Sequence, residues 1–249
     1  MNRVPLSAVL VTCNAAEQLP DCLASLSCVD EIVVVDSGSQ DHTCALAQAA
    51  GARLLHHEWA GFGPQKRWAV QQARHDWVLC LDADERLSAA LQEQIRTLLA
   101  APPPFSAYRL ARCNRFMGRW LRHGEGYPDW VVRLFDRRQA QWSADKVHER
   151  VENSGSIGTL HGDLLHDSAI SLHDYLSKQN HYTTLQAQRL CAEGKRIHLG
   201  HLLLSPLARF IKFYFLRRGF LDGIPGLVHI LIGCGNSFIK YAKGMALRL

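Results

Sequence analysis

The sequence of 249 residues lacks several patterns that assign a protein to a class at once. It has neither the GxGxxG nor the GxxxxGK[ST] pattern, which argues against a Rossmann dinucleotide site and excludes a P-loop. Its eight cysteines form no CxxC pair and no close cluster, so we expect reduced thiols, as in the cytosol. Uncharged apolar runs stay below the roughly 18 residues that span a membrane, and residues 6–11 are too few for a signal peptide, so we expect neither feature.

Acidic residues are scarce at the end of the chain, although the overall composition is that of an ordinary globular protein. From residue 198 onward, seven Lys and Arg side chains accompany one acid, Asp222, which gives this segment a charge of +6. Residues 1–197 carry 21 basic and 22 acidic side chains. We therefore expect two amphipathic helices in residues 198–249, broken around residues 219–226, that bind an anionic surface rather than nucleic acid. The alternative is that these helices only pack against the rest of the protein.

Strand and helix patterns alternate through the first hundred residues, which predicts an α/β fold with a parallel sheet and helices on both faces. The predicted strands cover residues 7–12, 31–35, 53–57 and 77–81, and the predicted helices cover residues 17–26, 41–50, 64–73 and 88–100. Because ligands bind at the carboxyl ends of such strands, we expect one crevice where polar segments follow three of them. Those segments are residues 12–17, 36–41 and 82–85. Later strands are predicted at 106–113 and 129–135, and a long helix at 172–193.

Asp82 and Asp84 lie two residues apart at the end of a buried strand, where unpaired carboxylates are costly. A divalent cation would neutralise them, and their hard oxygen atoms suit Mg²⁺ or Mn²⁺. Such an ion can hold a diphosphate and stabilise it as a leaving group. The alternative is that Asp84 and Glu85 only cap the next helix.

Three further groups of residues carry chemistry in the sequence. Asp36 directly follows a strand and could accept hydrogen bonds from a base or ribose, unless the segment is an ordinary loop. Lys66 lies just inside a predicted helix start, where an anion such as diphosphate is favoured, unless the turn is only solvated. His148 and His166 could each supply an acid, a base or a metal ligand, although an isolated histidine is usually structural.

Arginine and aromatic residues are interleaved between Arg109 and Arg138, where eight arginines accompany three acids. This block is consistent with recognition of a phosphorylated sugar, with stacking on RNA, or with a solvated cationic loop. The near-neutral body of the chain argues against RNA.

The sequence resembles family 2 glycosyltransferases, which have the GT-A fold, in the segments VTCNAAEQLPDCLASL, EIVVVDSGSQDHT, GFGPQKRWA and WVLCLDADERLS. Later segments resemble the bacterial lipopolysaccharide core β-1,4-glucosyltransferases that modify the inner-core heptose; they are RWLRHGEGYPDWVVRLF, KVHERV, LLHDS, LHDYLSKQN and FLDG. The resemblance implies a GT-A catalytic domain at residues 1–197, followed by a basic membrane-association segment at 198–249. Within the domain it implies a nucleotide-sugar-binding half at 1–104 and an acceptor half at 105–197.

The resemblance also implies roles for individual residues. Binding of the nucleotide sugar falls to Thr12, Asn14, Glu17, Asp36, Lys66 and Asp82. Asp84 matches the main ligand of Mn²⁺ or Mg²⁺, and His166 is expected to complete the shell. Many family members take the general base from an acidic pair after a Gly-Gly-Phe turn, but this chain has Trp142-Ser143-Ala144 there, so Glu149 is the first candidate and Asp129 the second. Acceptor contacts are expected from Arg115, Arg119, Trp120, His123 and Tyr127.

These expectations describe an inverting, metal-dependent enzyme that transfers glucose from UDP-glucose to a lipid A-core saccharide. It would act as a peripheral protein at the cytoplasmic face of the inner membrane, with no nucleic-acid partner. One alternative is a family 2 transferase that uses another UDP-sugar for capsule or exopolysaccharide. Another is a non-catalytic protein that binds a nucleotide sugar or a membrane, although the two aspartates argue against it. A nucleotidyltransferase fits poorly, because Cys13-Asn14-Ala15-Ala16 replaces the glycine- and arginine-rich loop.

Overall fold

The computed structural model describes residues 3–145, 149–168 and 171–248. The chain forms two compact units. The first contains the residues up to 112 together with residues 129–167, and the second contains residues 113–128 and 168–249. The expected boundary at residue 197 does not coincide with this division, because residues 168–197, like residues 113–128, belong to the second unit. The functional assignments of the expected halves stay predictions.

Eleven strands are found in the described part of the chain. They are β1 (Leu6–Thr12), β2 (Glu31–Asp36), β3 (Arg53–His56), β4 (Trp77–Asp82), β5 (Glu85–Leu87), β6 (Ala107–Phe116), β7 (Arg119–Trp120), β8 (Asp129–Asp136), β9 (Ala140–Trp142), β10 (Val151–Asn153) and β11 (Ile157–His166). The main sheet has the order β3-β2-β1-β4-β8-β6-β11-β5, and β7 pairs with β6. Strands β3, β2, β1 and β4 are parallel to one another. The pairs β4–β8, β6–β8 and β11–β5 are antiparallel.

The sheet is thus mixed. The parallel arrangement expected from the sequence is found in β3, β2, β1 and β4, which come from the N-terminal part of the chain. Each of the first three strands is followed by a helix, which provides the long crossover that parallel neighbours require. The helices of this unit are α1 (Leu19–Ala24), α2 (Thr43–Ala49), α3 (Phe62–Gln71) and α4 (Ala89–Leu99). After residues 102–104, strands and helices no longer alternate, and antiparallel strands follow.

Apolar side chains cover both faces of the sheet, as expected for buried parallel strands. On one face, Leu10 and Leu79 belong to a core cluster that also contains Leu91 and Ile95 of α4. On the other face, strand residues such as Val33 and Val35 cluster with Ala69 and Val70 of α3 and with Trp142. The polar residues at the strand ends are therefore attached to a sheet that is packed on both faces.

The second unit is mainly helical, with α5 (Leu172–Ala192), α6 (Leu199–Phe210) and α7 (Gly223–Ala246). A π-helical stretch at residues 211–216 continues α6, and a short 3₁₀ turn at residues 219–222 precedes α7. The break between the two predicted C-terminal helices thus lies where the sequence indicated it.

One helical stretch bears on the expectation that no helix spans a membrane. Residues 199–216 form one helical stretch of mean hydropathy 1.2 that is long and apolar enough to cross a membrane, and none of it is buried. This is a statement of length and composition only. The stretch is not an uncharged run, because it contains Arg209 and Lys212.

Candidate functional site

Asp36 stands at the end of β2 and organises the loop that follows it. Its carboxylate accepts hydrogen bonds from the backbone N–H groups of Gly38 (2.9 Å) and Ser39 (2.8 Å) and from the Thr12 hydroxyl (3.1 Å). Burial alone would raise the pKa of Asp36, but these bonds together with one from the Ser39 hydroxyl hold the pKa below its ordinary value. Asp36 is therefore an ionised hydrogen-bond acceptor at neutral pH.

Asn14 connects the end of β1 to the same loop. Its backbone N–H donates to the Ser39 hydroxyl at 2.8 Å, and its side-chain oxygen accepts from the Gln40 N–H at 2.9 Å. Asn14 adopts a positive φ of 50°, which asparagine tolerates better than most residues. Glu17 lies exposed in the turn before α1. Two of the three expected strand-end segments thus lie in direct contact.

Asp82 ends β4, which is the other parallel neighbour of β1. One carboxylate oxygen lies 2.7 Å from the Lys66 ammonium, and the other lies 2.7 Å from the Arg133 guanidinium. Burial opposes ionisation of Asp82, but Arg133 and Lys66 together lower its pKa well below the ordinary range. The same Arg133 nitrogen lies 2.7 Å from Glu85, whose side chain is fully buried. The Asp82 carboxylate is therefore fixed between two cations, Lys66 and Arg133.

Lys66 also pairs with Glu149, at 2.9 Å, so one buried ammonium joins two of the expected site residues. The indole of Trp142 lies 4.8 Å from the Lys66 nitrogen and 5.6 Å from the Arg133 guanidinium, so that one ring contacts both cations. The segment after Trp142 also contacts the start of α3. There the Gly63 N–H donates to the Asp145 carbonyl at 3.1 Å.

Asp129 is held differently from Glu149. Both the Nε and an Nη atom of Arg112 donate to one of its oxygens, at 2.9 and 2.6 Å. The side chain of Asp129 is 39% exposed, whereas that of Glu149 is 17% exposed. The two candidate bases therefore each pair with a different cation. His148 lies outside the described residues.

Asp84 and His166 are brought together by the antiparallel pairing of β5 with β11, in which His166 lies opposite Glu85. A nitrogen of the His166 ring is 3.2 Å from an Asp84 oxygen. Among the described residues, no group of three or more His, Cys, Asp or Glu side chains is arranged to hold a metal ion. One carboxylate and one imidazole nevertheless fit an ion such as Mn²⁺ or Mg²⁺, because such ions commonly take their other ligands from substrate phosphates and water.

The residues expected to contact the acceptor lie in the second unit. Arg115 and Trp120 are cross-strand partners on β6 and β7, with the guanidinium 5.9 Å from the ring. Arg119 donates to the Leu221 carbonyl at 3.0 Å, and His123 hydrogen-bonds to Asp222 at 2.9 Å. The Tyr127 carbonyl accepts a bond from Arg217. These residues share one loop region, and their function stays a prediction.

Sequence reasoning missed Arg133, Glu85 and Arg112, which hold the carboxylates in place. A signal for Arg133 was available, because it interrupts the apolar strand WVVRLF. A buried charge is costly without a partner, so an arginine inside such a strand predicts a nearby carboxylate. The sequence suggests only a helix-capping role for Glu85. In the structure it lies on β5 and binds Arg133, and Ser88 caps α4 instead.

Comparison with known proteins bears on this arrangement. The model of "Glycosyl transferase family 2" matches residues 7–154, which include the ends of β1, β2 and β4. The chain belongs to glycosyl transferase family 2. The GT-A fold expected from the resemblance is thereby confirmed, as is glycosyltransferase membership.

Curated relatives of this glycosyltransferase match almost its entire length. It is 34% identical to the "Lipopolysaccharide core biosynthesis glycosyltransferase LpsC" of Rhizobium meliloti (strain 1021), over 97% of this chain and 92% of that protein. It is 30% identical to an uncharacterized glycosyltransferase of Rickettsia felis, over 96% of this chain and 88% of that protein.

Among solved structures, the S. aureus TarS 1-349 crystal structure matches with a TM-score of 0.49 at 14% identity, covering 98% of this chain and 91% of that one. Glucosyl-3-phosphoglycerate synthase from Mycobacterium tuberculosis, solved with Mn²⁺ and UDP, matches with a TM-score of 0.38 at 23% identity. That match covers 46% of this chain and 45% of the synthase.

Proposed function

We propose that this glycosyltransferase inverts the anomeric centre of glucose as it transfers the sugar from UDP-glucose to the heptose of the lipopolysaccharide inner core. The observation that carries the proposal is the placement of two acidic residues at the carboxyl ends of the two strands that flank β1, Asp36 on β2 and Asp82 on β4, in a family 2 chain. The name of the LpsC relative supports the lipopolysaccharide core as the pathway in which the acceptor is made.

The donor nucleotide would bind at the ends of β1 and β2. Asp36 stays ionised, and its carboxylate is proposed to accept hydrogen bonds from ribose hydroxyls or from the base in place of those that it now accepts from the Thr12 and Ser39 hydroxyls. Thr12 and Asn14 hydrogen-bond to this loop, and Glu17 lies exposed in the turn before α1; the three are proposed to complete this pocket. Lys66 is proposed to attract the diphosphate, and Asp82 to hold Lys66 in place.

Asp84 and His166 are proposed to hold a divalent cation. When bound, such an ion supplies positive charge that stabilises the departing diphosphate. The pair is close enough for both side chains to face one ion, and each supplies an atom of a type that binds Mn²⁺. Replacing Asp84 removes the only carboxylate of this pair.

The transfer itself requires a base. The acceptor oxygen forms a bond to the anomeric carbon on the face opposite the diphosphate, and the bond from that carbon to the phosphate oxygen breaks. UDP leaves with the bonding electrons, while the hydroxyl proton passes to a carboxylate. We propose Glu149 for this role, with Asp129 as the second candidate, because Glu149 is the more buried of the two.

The second unit is proposed to bind the lipid-linked acceptor at the cytoplasmic face of the inner membrane. Arg115, Arg119, Trp120, His123 and Tyr127 supply the cationic and aromatic groups that suit a phosphorylated saccharide. Exposed leucines on α6 and the +6 charge of residues 198–249 suit an anionic bilayer.

The test is UDP release by the purified protein with Mn²⁺ and a panel of UDP-sugars, with and without lipopolysaccharide that ends in inner-core heptose. We expect release with UDP-glucose only when this acceptor is present. Release with another sugar would keep the family and discard glucose as the donor, whereas equal release with and without this acceptor would indicate hydrolysis of the donor and contradict the proposed acceptor. Silence across the panel from a folded protein would contradict the proposal.

Asp84→Asn is the matched variant for the metal site, and Asp76→Asn is its control. Asp76 immediately precedes β4 at the opposite end of that strand, so the same chemical change is made far from the site. We expect Asp84→Asn to reduce transfer by about 10²-fold or more and to raise the Mn²⁺ concentration needed for half-maximal rate. Asp76→Asn should retain the wild-type rate. An unchanged rate in Asp84→Asn would remove Asp84 from the metal site.

A further inference from the structure

Asp222, in the FLDG segment before α7, is a buried acid that the proposed chemistry does not use. Its side chain is 3% exposed. One carboxylate oxygen accepts hydrogen bonds from the backbone N–H groups of Arg122 (3.0 Å) and His123 (2.8 Å), and the other bonds to the His123 ring at 2.9 Å. Bonds from N–H groups to an ionised carboxylate are among the stronger ones. Asp222 therefore fixes both the backbone and the ring of His123.

The loop that Asp222 holds, residues 121–128, is attached to the same C-terminal segment at several other points. The Gly124 N–H donates to the Arg217 carbonyl at 2.9 Å, and the Arg217 side chain donates to the Tyr127 carbonyl at 2.9 Å. Glu125 receives two bonds from Arg209. The anchoring atoms thus come from residues 209–222, which lie about a hundred positions later in the chain.

Close backbone packing adds to these bonds. Gly124 has a positive φ of 67°, and a Cβ atom there would lie 3.1 Å from the Ile230 side chain and 3.2 Å from the Gly219 backbone. At Gly219 a Cβ would lie 2.3 Å from the same Ile230 atom. The loop and the turn before α7 therefore approach each other more closely than side chains would allow.

We propose that Asp222 is a positioning residue for acceptor recognition, which holds the loop carrying His123 and Tyr127 in its binding conformation. The inference rests on the proposed function, since it takes this loop to contact the acceptor saccharide. Asp222 does not touch the substrate, because its oxygens are buried and already hold three donors. The C-terminal segment is then part of the acceptor site, in addition to any role at the membrane.

The test compares Asp222→Ala and Asp222→Asn with the wild type and with Asp174→Asn, an isosteric change at the exposed start of α5 in the same unit. We expect Asp222→Ala to raise the KM for heptose-terminated lipopolysaccharide about tenfold, which corresponds to about 1.4 kcal/mol, and to leave the KM for UDP-glucose unchanged. Asp222→Asn keeps one accepting oxygen and should fall between. Asp174→Asn should match the wild type.

Amide hydrogen exchange of residues 121–128 is measured on the same proteins without any substrate. Faster exchange confined to this loop, together with the selective rise in acceptor KM, supports the proposal. Unchanged loop exchange overturns it, as does a parallel change in both KM values, which would indicate a merely structural role. Faster exchange with an unchanged acceptor KM also overturns it.

The exchange measurement separates this inference from the proposed function. If the wild type turns over no UDP-glucose with this acceptor, the proposed function fails. In that case, exchange is measured again with heptose-terminated lipopolysaccharide present, and loss of acceptor-induced protection of the loop in Asp222→Ala still supports positioning by Asp222. Absence of such protection in the wild type overturns the inference.

Discussion

Arg133 is a guanidinium placed inside a strand whose neighbouring residues are apolar, and the carboxylates of Asp82 and Glu85 depend on it. We expect Arg133→Met to lower the free energy of unfolding by about 3–5 kcal/mol, because breaking a buried ion pair leaves charges without compensation. Urea denaturation measures this change. Arg96→Met is the control, since Arg96 is 41% exposed and its surface pair with Glu93 should contribute less than about 1 kcal/mol. Equal effects of the two variants would contradict the role given to Arg133.

Glu149 and Asp129 can be distinguished by their isosteric amides. If Glu149 is the base, Glu149→Gln should lower kcat by about 10²–10⁴-fold, because the amide cannot take the acceptor proton. Asp129→Asn should lower it much less, since this change mainly alters the pair with Arg112. The measurement is kcat at saturating UDP-glucose and acceptor for both variants. A larger loss in Asp129→Asn would reverse the assignment.

His229 makes the stability of the second unit depend on pH. Burial, with a smaller contribution from Arg209 and against the opposing effect of Asp222, lowers its pKa to about 4. In the unfolded chain, His229 has an ordinary pKa near 6.5. As the pH drops from about 6.5 to about 4, the unfolded state therefore binds a proton at His229 that the folded state does not bind, and the stability of the folded state falls. The loss should approach about 3 kcal/mol at the lower end of that window.

The variant that tests this dependence is His229→Phe. It keeps a ring against Phe116 and Tyr175 and removes the titrating group. We expect thermal unfolding between pH 7 and pH 4.5 to show a clearly smaller decrease in Tm for the variant than for the wild type. Parallel curves for the two proteins would show that His229 is not the responsible group.

At the scale of elements, the start of α3 is packed directly against the segment that leads to Glu149. A Cβ atom on Gly63 would lie 2.3 Å from the Ser143 carbonyl oxygen and 2.4 Å from that of Asp145. Gly63→Ala should therefore force helix and segment apart, lengthen the contact between Lys66 and Glu149, and cost about 1–3 kcal/mol of stability. Thermal unfolding and the transfer rate should both fall.

The matched change for this prediction is Gly235→Ala, in the middle of α7. A Cβ there meets nothing within 4 Å, so the helix preference of alanine should stabilise the protein slightly, by up to about 1 kcal/mol. If the two alanine variants behave alike, close packing at Gly63 is not what constrains that segment.

Local sequence pattern was sufficient for most elements of the first unit. The apolar runs that become β1, β2 and β4 are bounded by polar turns, and their observed ends lie within a residue or two of the predicted ones. The carboxyl-end rule then placed Asp36 and Asp82 at one edge of the sheet. The pairing of Asp82 with Arg133 could not be found in this way, because it depends on β8 lying beside β4, a neighbour 51 positions later in the chain.

At the scale of the whole molecule, the sequence predicts two consecutive functional parts, a catalytic domain at residues 1–197 and a membrane-association segment at residues 198–249. The structure groups residues 113–128 with residues 168–249 instead. The bonds responsible, such as those between His123 and Asp222, join residues 99 positions apart, and no periodicity or motif spacing carries such information. Removing residues 198–249 would consequently remove Asp222 and Arg209 as well, so membrane binding is better tested by point substitutions.

Membrane attachment is expected to depend on one exposed stripe of the helical stretch 199–216. Leu199, Leu203, Leu207, Ile211 and Phe215 are spaced four residues apart and are all exposed. Insertion of a leucine side chain into the bilayer should contribute about 1.5–3 kcal/mol, and each nearby basic residue about 1 kcal/mol on an anionic surface. Leu203→Glu combined with Leu207→Glu should therefore reduce flotation with anionic lipid vesicles by at least about tenfold.

The control for flotation is Leu185→Glu, an equally drastic change at an exposed leucine of α5, which should leave binding intact. Because the tail charge of +6 contributes to attachment, high salt should release a peripheral protein from the vesicles. A helix that spans the bilayer is held by apolar burial along its whole length, which salt does not screen. Resistance to both salt and alkaline extraction would therefore assign residues 199–216 as a membrane-spanning helix and contradict peripheral attachment, since that stretch has the length and composition to cross.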